Sequence, residues 1–144
     1  VLVTEAVFHQ HWSLMKKILV IDDEPHILRL LEVALGRDGY DVLTSGDGKT
    51  GLEVLEREKP SVVLLDIVMP EMDGYEVLER IKDSRELREI PVIILTALAQ
   101  QADIYRGWQE GVSAYLTKPV GLEELRSVVR RVIAGGEVAV DAAE

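Results

Sequence analysis

Cysteine is absent from the 144-residue sequence, which excludes disulfide bonds and thiolate metal sites and is compatible with a cytosolic protein. Basic residues are also scarce: 16 lysines and arginines face 26 aspartates and glutamates, for a formal net charge of -10. This acidity argues against a nucleic-acid-binding or anionic-membrane-binding surface on this segment. Apolar runs are short, and none reaches the roughly 18 residues of a membrane span.

The composition and length predict one domain with a core of its own, since 47% of the residues are hydrophobic and 29% are charged. Residues 1–14 are poorly patterned and precede Met15-Lys16-Lys17, which has the form of a natural start. We therefore expect residues 1–14 to be an N-terminal extension, either disordered or added during cloning.

The stretch from Ser61 to Pro70, SVVLLDIVMP, is central to the predicted fold. Its four consecutive large apolar residues are typical of a strand that is covered on both faces. Asp66 ends this strand, and the turn-forming Asp73-Gly74 follows shortly after it. Because a carboxylate at the tip of a buried strand is costly, Asp66 is a candidate functional residue, although a solvated loop aspartate would show the same local pattern.

Short apolar runs alternate with helix-patterned segments from Lys17 onward. The last helix has the clearest pattern, and the helix before it is expected to pack through Ile104 and Trp108. Five strands alternating with five helices predict an α/β fold, in which a parallel sheet is covered by helices on both faces. The polar strand that begins near Tyr40 suits an edge position.

Polar residues follow the predicted strands, and parallel strands bring their carboxyl ends to one edge of the sheet. Asp22, Asp23, Asp66, Thr96 and Lys118 occupy such positions. Three converging carboxylates require a cation, and oxygen ligands favour Mg²⁺. With a lysine and a hydroxyl beside them, these groups have the chemistry to stabilise a transferring phosphoryl group. A structural ion-pair cluster is the alternative.

Four motifs occur together and in order: ILVIDDEP at 18–25, VVLLDIVMPEMDG at 62–74, ILTAL at 94–98 and AYLTKP at 114–119. On these motifs the chain resembles the receiver domain of two-component response regulators and is similar to the chemotaxis receiver. The resemblance covers residues 15–134 and leaves 135–144 as a C-terminal tail or a truncated linker. It implies a doubly wound, flavodoxin-like sheet with strand order 2-1-3-4-5.

The resemblance also implies a role for each site residue. Asp66 would be the phosphoacceptor. Asp23 and Asp66 would bind Mg²⁺, which Mn²⁺ can replace, together with the backbone carbonyl of Val68, while Asp22 would act chiefly through water. Lys118 and Thr96 would bind phosphoryl oxygens and so count among the catalytic residues with Asp66.

Two further expectations come from the motif around Lys118. The Lys118–Pro119 peptide would be cis. Tyr115 takes the position of the aromatic switch residue, which would respond with Thr96 to phosphorylation. A strand residue that packs with its hydroxyl at the surface is the alternative for Tyr115.

The implied function is a phosphorylation-dependent signalling switch in the cytoplasm, not an enzyme in the ordinary sense. A sensor histidine kinase, a phosphotransfer protein or a small phosphodonor would phosphorylate it, and the surface of the fourth helix, last strand and last helix would then change. The output partner or domain is left open, as is a homodimer formed on phosphorylation. Because Val68 and Leu98 offer no group to orient water, we expect slow self-dephosphorylation.

Two other classes of protein share parts of this pattern. An aspartyl-phosphate hydrolase of the dehalogenase type uses a strand-end aspartate, but it needs a second one two residues later, where this chain has Val68. A nucleotide-binding flavodoxin-like module needs a phosphate loop after the first strand. The acidic residues 22–24 would repel phosphate there unless a metal intervened.

Overall fold

A computed structural model describes residues 15–135, which form five strands and five helices in strict alternation. The extension predicted for residues 1–14 and the tail beyond residue 135 lie outside the described residues. The elements are β1 Lys17–Ile21, α1 Pro25–Arg37, β2 Asp41–Ser45, α2 Gly48–Glu58, β3 Val62–Leu65, α3 Gly74–Asp83, β4 Val92–Thr96, α4 Gln101–Gln109, β5 Ala114–Thr117 and α5 Leu122–Ile133.

The strands form one parallel sheet with the order β2-β1-β3-β4-β5, which confirms the predicted fold class. Strand β1 pairs with β2 on one side and with β3 on the other, so Ile21 lies beside both Ser45 and Leu65. The strand order therefore reverses at β1, and a crevice opens between the carboxyl ends of β1 and β3.

Alternating residues of the central strands supply two separate cores. Leu19 and Ile21 of β1 face the cluster that includes residues of α2 and α3, whereas Ile18 and Val20 face the cluster formed with α1 and α5. The four residues of β3 are buried on both faces. This explains why their sequence is continuously apolar instead of alternating.

Helix α4 differs from its sequence-based prediction. Ile104 is half-buried and packs against the core, but Trp108 is 36% exposed, so the expectation that Trp108 is a packing residue is wrong. Gly107 is the residue that α4 buries, because the ring of Tyr115 fills the space beneath the helix. Among the helices within residues 15–135, none combines the length and the apolar character needed to cross a membrane.

Candidate functional site

The acidic residues that follow β1 and β3 are held in place by the sheet itself. The backbone N–H of Asp22 donates to the carbonyl of Ser45 at 3.1 Å, and that of Asp66 donates to the carbonyl of Ile21 at 3.0 Å. Both bonds continue the parallel ladder by one residue past the strands. The two carboxylates therefore begin from fixed backbone positions on either side of the crevice.

A close backbone approach fixes the loop that carries Asp66. The N–H of Gly74, at the start of α3, donates to the carbonyl of Ile67 at 2.8 Å. A Cβ at Gly74 would overlap the carbonyl oxygen of Asp66 and lie 2.6 Å from the Cα of Ile67. Glycine is required here because the helix begins directly against the backbone of the functional loop.

Three carboxylates converge in the crevice. Ligand oxygens of Asp22, Asp23 and Asp66 all lie within 4.8 Å of one another. Asp22 and Asp66 are buried, whereas Asp23 is exposed and gives the cluster access to solvent. Burial raises the pKa of Asp22, the hydrogen bond from Lys118 opposes that increase, and the charge of Asp66 adds to it. The oxygen donors and their spacing fit a hard divalent cation.

Lys118 directly follows β5, precedes a cis peptide bond to Pro119 and reaches this cluster. Its Nζ donates to Oδ2 of Asp22 at 2.8 Å and to Oδ2 of Asp66 at 3.1 Å. Burial lowers the pKa of Lys118, but the hydrogen bonds to both carboxylates outweigh that effect and the net direction is upward. The lysine is therefore a fixed positive charge at the site.

Glu24 is a member of this network that the sequence analysis missed. Its Oε1 lies 3.4 Å from Nζ of Lys118, and its backbone N–H donates to Oδ1 of Asp22 at 3.0 Å. The feature of the sequence that could have pointed to Glu24 is its position in the acidic run Asp22-Asp23-Glu24. An acidic residue on the first turn after a strand is common, however, and nothing in the run pointed to Lys118.

Thr96 and Tyr115 are linked through one residue between them in the structure. Thr96 is fully buried, and its Oγ1 accepts from the backbone N–H of Leu98 at 3.4 Å. The carbonyl of the same Leu98 accepts from the hydroxyl of Tyr115 at 2.8 Å. Tyr115 is 0% exposed, so the alternative with its hydroxyl at the surface is wrong. Burial raises the pKa of Tyr115.

Three residues that follow Asp66 and Thr96 closely in the chain have apolar side chains. Val68, two residues after Asp66, is 53% exposed, and its backbone N–H donates to Oδ1 of Asp66 at 3.1 Å. Ala97 is exposed and Leu98 is half-buried. These three residues carry no side-chain acid or amide that could orient a water molecule beside Asp66.

A sequence model of the response regulator receiver domain matches residues 18–130. The chain therefore belongs to the response regulator receiver family, whose members are signalling domains of two-component systems. This result favours a receiver over the aspartyl-phosphate hydrolase and the nucleotide-binding module that the sequence also suggested.

Curated relatives extend the same result. The probable transcriptional regulator ycf27 of Porphyridium aerugineum is 44% identical over 121 residues, which cover 81% of this chain and 49% of the relative. PhoP of Bacillus subtilis, a transcriptional regulatory protein of alkaline phosphatase synthesis, is 37% identical over 90% of this chain and 53% of its own length. The chain thus spans about half the length of these curated relatives.

Solved structures agree in fold. The chemotaxis protein CheY4 of Vibrio cholerae is 28% identical with a TM-score of 0.78, covering 82% of this chain and 98% of that one. The receiver domain of Francisella response regulator 1452 is 30% identical with a TM-score of 0.78, covering 83% and 98%.

Proposed function

We propose that Asp66 is the phosphoacceptor of a two-component signalling switch. The observation that carries the proposal is the position of Asp66: it is buried at the end of β3, held by Lys118, and within 4.8 Å of the other two carboxylates. A carboxylate used only for stability would be satisfied by the lysine alone. The additional acidic groups instead make a site that a divalent cation completes.

The transfer would proceed by attack of an Asp66 carboxylate oxygen on phosphorus. The new P–O bond forms as the bond from phosphorus to the donor breaks, and the electron pair of that bond stays with the donor, a histidine nitrogen of a kinase or phosphotransfer protein. Lys118 stabilises charge on the phosphoryl oxygens, and Thr96 donates its hydroxyl to one of them. The half-exposed Val68 leaves the site open to a donor.

Asp22, Asp23 and Asp66, together with the carbonyl of Val68, would hold Mg²⁺ or Mn²⁺ as the site's cation. When bound, the cation offsets charge on the carboxylates and the phosphoryl oxygens. Asp23 suits direct ligation because it is exposed, and Asp22 suits an indirect role because Lys118 already contacts it. Val68 and Leu98 leave attacking water without an orienting side chain, so we expect the aspartyl phosphate to be hydrolysed slowly.

The switch would run from Thr96 to Tyr115 through Leu98. A phosphoryl oxygen that takes the hydroxyl of Thr96 changes the acceptor of the Leu98 N–H, and the Leu98 carbonyl holds Tyr115. The surface formed by α4, β5 and α5 would change with it. We place the receiver unit at residues 15–134, in the cytoplasm, and the names of the relatives support a transcriptional output.

The test is labelling of the whole chain with acetyl phosphate in Mg²⁺. Wild type should form an acid-stable, alkali-labile acyl phosphate, and Asp66→Asn should form none because an amide is not a comparable nucleophile. Asp83→Asn is the matched control, since this exposed aspartate ends α3 at the opposite edge of the sheet. Full labelling of Asp66→Asn, or labelling that persists without divalent metal, would overturn the proposal.

A further inference from the structure

Gly107 lies inside α4, where the helix itself gives no reason for a glycine. The helix runs from Gln101 to Gln109, and Gly107 does not adopt a positive φ. Glycine in a helix interior is less stabilising than alanine, because it loses more conformational freedom on folding. The reason for glycine at this position must therefore come from outside the helix.

The ring of Tyr115 supplies that reason. A Cβ at Gly107 would lie 2.8 Å from Cδ2 and 3.2 Å from Cε2 of Tyr115. Both distances are shorter than the roughly 3.5–4.0 Å at which carbon atoms attract one another. The ring has little freedom to yield, because it is fully buried and its hydroxyl donates to the carbonyl of Leu98 at 2.8 Å.

Contacts with Tyr75 at the start of α3 prevent α4 from moving away freely. The guanidinium of Arg106 lies 3.6 Å from the centroid of the Tyr75 ring. The hydroxyl of Tyr75 donates to the backbone carbonyl of Asp103 at 3.3 Å. An added methyl group at Gly107 would therefore have to break these contacts or expel the ring of Tyr115.

We propose that Gly107 is a positioning residue of the switch, whose missing side chain provides the space that the inward Tyr115 ring occupies. The position of α4 and the inward or outward orientation of the Tyr115 ring then change together, as one two-state element. A change at position 107 biases this element without touching Asp66. The assignment rests on the proposed switch role of Tyr115, which it extends to α4.

The experiment places 3-fluorotyrosine in the whole chain and follows the fluorine NMR signals, with the Tyr115 signal assigned from a Tyr115→Phe variant. Gly107→Ala should move the Tyr115 signal toward the position of solvent-exposed tyrosine. Gly36→Ala is the matched control, because Gly36 also lies in a helix but has no atom within 4 Å of an added Cβ. It should leave the Tyr115 signal unchanged and raise the melting temperature.

Thermal unfolding of a double variant supplies a second readout. Gly107→Ala should lower the melting temperature of wild type but raise that of Tyr115→Ala, because removing the ring leaves only the helix preference for alanine. If Gly107→Ala alone does not fold, a folded double variant still supports the steric explanation. A double variant that melts lower than Tyr115→Ala, or a Gly107→Ala that keeps the Tyr115 signal and melts higher, would overturn it.

Titration with beryllofluoride, an unreactive phosphoryl mimic, tests whether the orientation of the Tyr115 ring is coupled to binding at Asp66. Gly107→Ala should change apparent binding by about fivefold or more, the lower end of usual coupling between linked sites. An unchanged affinity would refute the coupling. If wild type itself does not bind the mimic, the proposed function of Asp66 fails, while the fluorine signals and melting temperatures still decide the role of Gly107.

Discussion

We expect Lys118→Met to lower the free energy of unfolding when no divalent metal is bound, because one lysine holds two buried carboxylates. The ammonium group lies 2.8 Å from Asp22 and 3.1 Å from Asp66, whose side chains are only 3% and 5% exposed. Each attraction is on the order of 5 kcal/mol at an effective dielectric constant of about 20. Methionine preserves much of the length of the side chain while it removes the charge.

The net loss is smaller than the sum of the two attractions, because burying the lysine also has a desolvation cost of several kcal/mol. Breaking a buried ion pair typically destabilises by about 3–5 kcal/mol. Since the Lys118 side chain keeps 15% exposure, we expect the lower end, about 3 kcal/mol, in the free energy of unfolding. Under the proposed function Mg²⁺ should restore much of this loss and bind the variant more tightly, because it would neutralise the same carboxylates.

Urea unfolding in EDTA and in saturating Mg²⁺ measures both effects. Lys16→Met is the control for the loss of a lysine, since Lys16 is exposed at the opposite edge of the sheet. If Lys118→Met is as stable as wild type in EDTA, the lysine does not hold the two carboxylates together. If Mg²⁺ stabilises the variant and wild type equally, the cation and the lysine do not share ligands.

Three further variants test the site and its surroundings. Gly74→Ala should lower the free energy of unfolding by about 2–3 kcal/mol in urea and slow phosphorylation, because its Cβ would displace the Asp66 backbone. Thr96→Ala should still be labelled by acetyl phosphate, but beryllofluoride should no longer shift the backbone amide signals of α5. Asp38→Asn should destabilise at pH 7 and progressively less as the pH falls below about 4, because the hydrogen bond from Arg126 lowers the pKa of Asp38 and its stabilisation is lost as the pH falls through that lowered pKa.

Each of these variants has a control or a contrary outcome within the same chain. Gly46→Ala should be tolerated, because an added Cβ there meets no atom within 4 Å. A Thr96→Ala variant whose α5 signals respond to beryllofluoride as fully as wild type would exclude the hydroxyl from the coupling. Glu123→Gln removes the other carboxylate partner of Arg126 and should change stability little, since the Glu123 side chain is 87% exposed.

The sequence predicted those parts of the fold that depend on local pattern. Four apolar residues before Asp66 indicate a buried central strand, and the parallel arrangement then brings the ends of β1, β3, β4 and β5 to one edge. That reasoning anticipated the meeting of Asp22, Asp23, Asp66 and Lys118 without any information on side-chain contacts. The family resemblance added the strand order.

Features that depend on packing between elements were not predictable in this way. Trp108 was expected to pack because it shares a helical face with Ile104, yet the structure buries its small neighbour Gly107. Which residue of α4 is buried depends on the orientation of the Tyr115 ring. Because Tyr115 belongs to β5, the periodicity of α4 cannot predict it. The contact of Glu24 with Lys118 joins residues 94 positions apart and was missed for the same reason.

Leu98 connects the site with the Tyr115 ring through its backbone. Its N–H contacts the hydroxyl of Thr96 and its carbonyl contacts that of Tyr115. Since both groups belong to one short loop, the proposed movement of Thr96 toward a ligand would change the support of the Tyr115 ring. The ring in turn fills the space that a side chain at Gly107, in the last turn of α4, would need. Because these contacts use backbone atoms and a missing side chain, the identity of the side chain at position 98 should matter less to the coupling than the hydroxyls of residues 96 and 115.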